Sequence, residues 1–153
     1  MFKRILIPLD GSDLSEKALP LAVTLAHQFN SKVMLIRTVE VSYPTFLAPH
    51  LTSATAVSIS ESYEAARQAA ETYLLAQQEV LQQQGLNVDV ILCEATPADG
   101  ILHTAGENQV DCIVMSTHGR GGLARWTLGS VADKVARHAP CPVLLVRQNA
   151  DVN

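Results

Sequence analysis

VDCIVMSTHGRGGLARWTLGSVADKVARH, residues 110 to 138, reads as a strand, a glycine-rich passage and a helix in direct succession. VDCIVM is a short apolar run of the kind a strand buried on both faces requires. The next fifteen residues, 116 to 130, hold Gly119, Gly121, Gly122 and Gly129, four of the eight glycines in the chain. VADKVARH then takes up helical spacing. Such a strand-to-helix passage has two plain uses, a free surface loop or a cradle for an anion. Several N–H donors converge on a phosphate only where Cβ atoms do not obstruct them.

Outward from this stretch the same alternation recurs. FKRILIPL (2–9) predicts a first strand, and Ser12 to Phe29 a helix with Ala18, Leu19, Ala22, Leu25, Ala26 and Phe29 at helical spacing, capped by Ser12 or Ser15. KVMLIRTVEV (32–41) is a second strand. Residues 42–60 are rich in Ser, Thr and Pro without a steady period and read as a long loop. Glu61 to Gln84 carries a stripe of Tyr63, Ala66, Ala70, Tyr73, Leu74, Gln77 and Leu81, with Gly85 as its stop. Its Gln-rich end, QQEVLQQQ, reads as a solvated face. LNVDVILC (86–93) is a third strand, and Thr96, Pro97 and Asp99 announce a helix running to about Glu107. After the opening stretch, PVLLVR (142–147) is a fifth strand.

Five strands alternating with four helices predict an α/β fold, one open parallel sheet covered on both faces. Strand orders 3-2-1-4-5 and 2-1-3-4-5 are both common, and ligands bind where the order reverses. The two richest loops follow strand one (PLDGSD) and strand four, which favours 3-2-1-4-5. No repeat or linker divides residues 1–153, so one domain is expected.

Composition narrows the function. Apolar residues make up 48% and charged ones 17%, a globular balance. The net charge of −4 and the lack of a basic run argue against nucleic acid as a partner. No apolar segment approaches the ~18 residues of a membrane span, and Asp10 interrupts the first apolar run too early for a secretory signal. Cys93, Cys112 and Cys141 lack CxxC spacing and read as small buried hydrophobes in a reducing cytoplasm. His27, His50, His103, His118 and His138 show no metal-ligand spacing. His118 reads as a loop residue and Trp126 as a packing anchor inside the loop. No Ser/His/Asp or Cys/His set assembles.

The phosphate fingerprints GxxxxGK[ST] and GxGxxG are absent. Gly119, nine residues, then Gly129-Ser130 instead resembles the G-x2-G-x9-G-[S/T] motif of the universal stress protein family, ATP-binding subgroup. KRILIPLDGSDLSEKAL (3–19), VDCIVMSTHGRGGL (110–123) and GSVADKVARHAPCPVLLVR (129–147) carry the resemblance over nearly the whole chain. It departs from the motif at Ser116, where the family has its first glycine.

The resemblance implies a Rossmann-like sheet of the adenine-nucleotide α-hydrolase type and a cytoplasmic stress-response module that binds ATP, ADP or AMP. Pro8 and Asp10 would lie beside ribose and phosphates, with Asp10 the one candidate to share Mg²⁺ with the phosphates. Thr38 and Val39 would line the adenine pocket and Met115 would touch the base, although core packing alone also explains Val39 and Met115. Ser116, Gly119, Arg120, Gly129, Ser130 and Val131 would hold phosphates and sugar. The family also implies a homodimer through the last strand, Pro142 to Val146, whose apolar edge calls for a cover. Slow ATP hydrolysis and a nucleotide-free interaction module stand as alternatives; fast hydrolysis lacks an evident general base or second acidic metal ligand. A response-regulator receiver is set aside, because Cys93-Glu94 and Arg147 stand where that fold needs an Asp and a Lys.

Overall fold

A computed structural model describes residues 1–40, 53–117 and 128–147. The strands β1 (Arg4–Pro8), β2 (Lys32–Thr38), β3 (Asn87–Cys93), β4 (Cys112–Ser116) and β5 (Val143–Val146) form one parallel sheet in the order β3-β2-β1-β4-β5. The helices are α1 (Asp13–Glu16), α2 (Leu19–Phe29), α3 (Ser53–Gln83), α4 (Pro97–Glu107) and α5 (Ser130–His138). The expected strand order 3-2-1-4-5 is the observed one, so the order reverses between β1 and β4.

Ile5, Leu6 and Ile7 of β1 are fully buried, which demands apolar contact on both faces of the sheet. Alternation sorts them. Ile5 and Ile7 join Val33, Leu35 and Val114 under α2 and α3, where Ala22 and Ala26, four residues apart, let α2 approach closely. Leu6 joins Met34, Ile36 and Ile113 on the opposite face, covered by Ile101 and Ala105 of α4 and Ala132 and Val135 of α5.

β1 and β2 pair through five residues, Arg4 to Pro8 against Lys32 to Ile36. β1 and β4 pair through only two, Ile5 with Cys112 and Leu6 with Ile113. Pro8 explains the difference. The Arg4 carbonyl accepts from Asp111 N on the β4 side, whereas Leu9 N donates to Ile36 O on the β2 side. Backbone groups alternate direction along a strand, so the N–H that proline lacks at position 8 is the one that would have faced β4. The ladder stops there, and the two strand ends part at the reversal point.

Four expectations need correction. The single helix from Ser12 is two, because Pro20 in the first turn of α2 cannot donate to the carbonyl of Glu16. Ser12 does cap α1, accepting from Ser15 N at 3.2 Å. The long helix begins at Ser53, inside the stretch read as loop: no proline lies between residues 53 and 60, and an existing helix propagates more readily than it nucleates. Residues 42–52 of that stretch, and Val41 before it, lie outside the described residues. The Gln-rich end of α3 is pinned rather than merely solvated, since Gln78 donates to Val88 O at 2.7 Å and Gln77 to Glu16 at 3.1 Å. Of the cysteines only Cys112 is buried; Cys93 and Cys141 are half-buried at strand ends. Among the described residues no helix is long and apolar enough to cross a membrane.

Candidate functional site

Where β1 and β4 part, a cavity of about 520 Å³ opens, within the ~300–1,000 Å³ usual for ligand pockets. Its floor is the carboxyl ends of β1, β2 and β4; α4 and α5 close one side and the turn after β1 the other.

The turn after β1 is organised by Asp10. Its Oδ1 accepts from Ser12 N at 2.9 Å and from Ser12 Oγ at 2.5 Å, while Asp10 N donates to Ser15 Oγ at 3.3 Å. Gly11 follows with φ +82°, a left-handed conformation that glycine adopts without strain. A Cβ there would also lie 2.9 Å from Nη1 of Arg37. Arg37 reaches this turn from β2, with its guanidinium carbon 5.1 Å from the ring centre of Tyr73 on α3. Tyr73 in turn donates to Glu16 at 2.7 Å. Burial, then this hydrogen bond, raises the Tyr73 hydroxyl well above its ordinary pKa, so the phenol stays a neutral donor.

The opposite wall begins at the end of β4. Ser116 is in register with Val146 of β5, is nearly fully buried, and has no left-handed backbone. Thr117 N donates to Val146 O at 3.0 Å, and Thr117 O accepts from Gly129 N at 2.9 Å. That second bond joins the two ends of the loop and sets α5 against the cavity. Gly129 is the N-cap of α5, with φ −60° and ψ 151° and no side-chain cap. The first intrahelical bond runs from Asp133 N to Gly129 O, 2.9 Å. The N–H groups of Ser130, Val131 and Ala132 therefore have no partner within the helix, and all three residues line the cavity. They carry the positive end of the helix dipole.

Of the residues anticipated from sequence, the cavity gathers Pro8, Asp10, Thr38, Met115 and Ser116, together with Gly129, Ser130 and Val131. Val39 is not among them. It is buried beyond the end of β2, its N–H donating to Cys93 O at 2.9 Å, so it extends the β2–β3 ladder instead. Gly119 and Arg120 lie outside the described residues, as do His118, Gly121, Gly122, Arg125 and Trp126. Sequence reasoning missed Arg37, Glu40, Ser15, Thr117 and the α4 residues Pro97 and Ile101. Arg37 had a signal, a lone charge near the end of the apolar run VMLI. For Pro97 and Ile101 there was none, since the approach of α4 to β2 is a packing outcome. It rests on Gly100, where a Cβ would lie 2.7 Å from Thr38 Cγ2. Thr96 starts α4 as expected, but its hydroxyl donates to Asp99 at 2.6 Å and does not cap the backbone.

Among the described residues no three His, Cys, Asp or Glu side chains cluster as metal ligands. A divalent cation here would draw on Asp10 and on oxygens of the ligand itself, as Mg²⁺ commonly does.

Comparison with known proteins places this geometry. The profile of the universal stress protein family matches residues 1–147. A universal stress protein of Methanocaldococcus jannaschii is 34% identical over 148 residues, 97% of this chain and 84% of the relative. The structure of a universal stress protein UspA from Lactobacillus plantarum superposes with a TM-score of 0.83 at 25% identity, covering 95% of this chain and 98% of that one. A universal stress protein family member from Arabidopsis thaliana, solved with AMP bound, shares the fold with a TM-score of 0.58 at 16% identity, over 97% and 94% of the two chains. With the family profile running from the first strand through the last, this chain belongs to the universal stress protein family.

Proposed function

We propose that this chain binds an adenine nucleotide in the cavity at the β1–β4 reversal and works as a regulatory module of the stress response. The observation that carries the reading is the row of first-turn N–H groups of Ser130, Val131 and Ala132 facing the cavity, donors placed to receive a phosphate. On this reading the sugar lies toward Asp10 and the base lies against Thr38, Ile36 and Met115. The AMP-bound relative supports the ligand class. Gly119 and Arg120 complete the phosphate contacts. Mg²⁺, when bound, shields phosphate charge, with Asp10 as its protein ligand. The site provides binding rather than fast turnover, and the module is cytoplasmic.

The module is proposed to act as a homodimer through Pro142 to Val146. All four residues of β5 are half-exposed, and β5 stands at the sheet edge, so an apolar strand is left to be covered.

Mass spectrometry of denatured, freshly purified protein tests the reading: released adenine nucleotide is expected, together with ATP binding by calorimetry. Protein that emerges empty, and binds no ATP with or without Mg²⁺, overturns it in favour of a nucleotide-free interaction module. Sedimentation as a monomer at micromolar concentration overturns the dimer.

A further inference from the structure

We propose that Arg37 is the built-in counter-cation of this site, allowing an anionic nucleotide to settle beside Asp10 without a divalent metal. The inference rests on the nucleotide reading above and adds to it a residue and a mode of charge balance.

The charged side chains lining the cavity, among the described residues, are Asp10, Glu40 and Arg37. Two carboxylates against one guanidinium leave a local balance of −1, and removing Arg37 would make it −2. A polyphosphate brought beside two carboxylates meets repulsion that the dipole of α5, equivalent to about half a charge, does not offset. Among the described lining residues Arg37 is the side chain that changes this.

Its geometry is that of a fixed charge. The guanidinium lies over the Tyr73 ring, 5.1 Å from ring centre to Cζ. The turn that carries Asp10 also lies close to it. A Cβ at Gly11 would sit 2.9 Å from Nη1 and 3.2 Å from Cζ, so glycine there leaves room for the guanidinium plane. The ring is itself held, since Glu16 accepts from Tyr73 at 2.7 Å and from Gln77 at 3.1 Å. Stacking and a permanent charge suit arginine and not lysine, whose ammonium is compact and strongly hydrated. A metal has less to hold it here. One oxygen of Asp10 already accepts two bonds from Ser12. No three-ligand acidic group stands among the described residues.

The test is calorimetric titration of the full chain with ATP, once with Mg²⁺ and once with EDTA, for wild type, Arg37→Gln and Arg37→Lys. Wild type is expected to bind nearly as well in EDTA as in Mg²⁺. Arg37→Gln is expected to lose about tenfold or more in EDTA, as befits a charge-assisted contact, and to recover most of that loss in Mg²⁺. Arg37→Lys should fall between them in EDTA. A purely structural role for Arg37 would lower affinity equally in both buffers and overturns the proposal. Wild type that binds only with Mg²⁺, or Arg37→Gln that binds like wild type in EDTA, overturns it as well. Should Arg37→Gln melt too early to titrate, the metal dependence of wild type and of Arg37→Lys decides on its own. Wild type that binds nucleotide in neither buffer marks failure of the nucleotide reading itself, and the role of Arg37 falls with it.

Discussion

The two walls of the cavity differ in chemistry. On the β1–β2 side the charges belong to side chains, Asp10, Arg37 and Glu40. Among the described residues, those lining the α5 side, Ser116, Thr117, Gly129, Ser130, Val131 and Ala132, carry no charged side chain. There the positive potential comes from peptide N–H groups and the helix dipole. One wall is written in side-chain identity and the other in backbone direction. Substitution should therefore act on them by opposite rules: changing a side chain disturbs the first wall, and only losing an N–H disturbs the second.

Ser130→Pro is the sharpest way to break that comparison. Proline is well tolerated at the first position of a helix, where its missing N–H has no intrahelical partner. Gly129 already has the extended ψ of 151° that a residue before proline requires. The fold should hold, with a melting temperature close to that of wild type. Nucleotide affinity should fall by about tenfold to a hundredfold, the worth of one hydrogen bond to a charged group at ~1.5–3 kcal/mol. Ser130→Ala removes the hydroxyl alone and keeps the N–H, so it should cost far less. Calorimetric titration of both variants checks this. Equal losses from the two would mean that the α5 wall works through side chains after all.

That rule also explains which parts of the site were legible in sequence. The α5 wall was, because a backbone cradle leaves a composition signal: Gly129-Ser130 after a spacer, at the start of a helical run. Strand order was legible too, since two glycine-bearing loops at strands one and four locate the reversal. On the side-chain wall the anticipated residues that line the cavity are Pro8, Asp10 and Thr38. Arg37 stood out only as a lone charge after an apolar run, because its partners, Tyr73 and Gly11, lie 36 and 26 positions away. Val39 and its neighbour part company at the end of β2. Its neighbour Thr38 lines the cavity, while Val39 donates into the β2–β3 ladder. The divided first helix was written in Pro20, one proline in an otherwise regular period. The early start of α3 was hidden by Ser and Thr, whose weak helix propensity a long neighbouring helix overrides.

Gly100→Ala probes the side-chain wall from behind. The new Cβ would stand 2.7 Å from Thr38 Cγ2 and 3.1 Å from Cys93 Sγ, closer than either contact can be without movement. Overpacking of this kind costs about 1–3 kcal/mol, and replacing a mid-helix glycine returns up to ~1 kcal/mol of helix propensity. A net loss of about 1 kcal/mol should lower the melting temperature by about 2–4 °C. Thr38 lines the cavity, so a weaker nucleotide affinity should accompany the melt. A normal melt with normal binding would mean that α4 shifts bodily, and that Thr38 is not held against the ligand by α4.

The smallest effect is expected where α4 meets α5 away from the cavity. Lys134 Nζ lies 2.6 Å from Asp99, and neither residue lines the cavity. The hydrogen bond from Lys134, then that from Thr96, holds the Asp99 carboxyl below its ordinary pKa. A depressed folded pKa contributes stability above the unfolded value, and that contribution is lost as pH falls through the folded one. Asp99→Asn should therefore melt slightly below wild type at neutral pH and converge with it in acid. Both partners are about half exposed, so screening keeps the difference small and added salt should erase it. Nucleotide binding is the informative readout. The α5 wall depends on where the helix points, and its N-terminus is set by the bond from Gly129 N to Thr117 O. That bond is independent of Lys134. Asp99→Asn should leave ATP affinity unchanged; a clear loss would show that the α4–α5 ion pair aims the peptide donors, and that a side chain controls the wall described here as backbone alone.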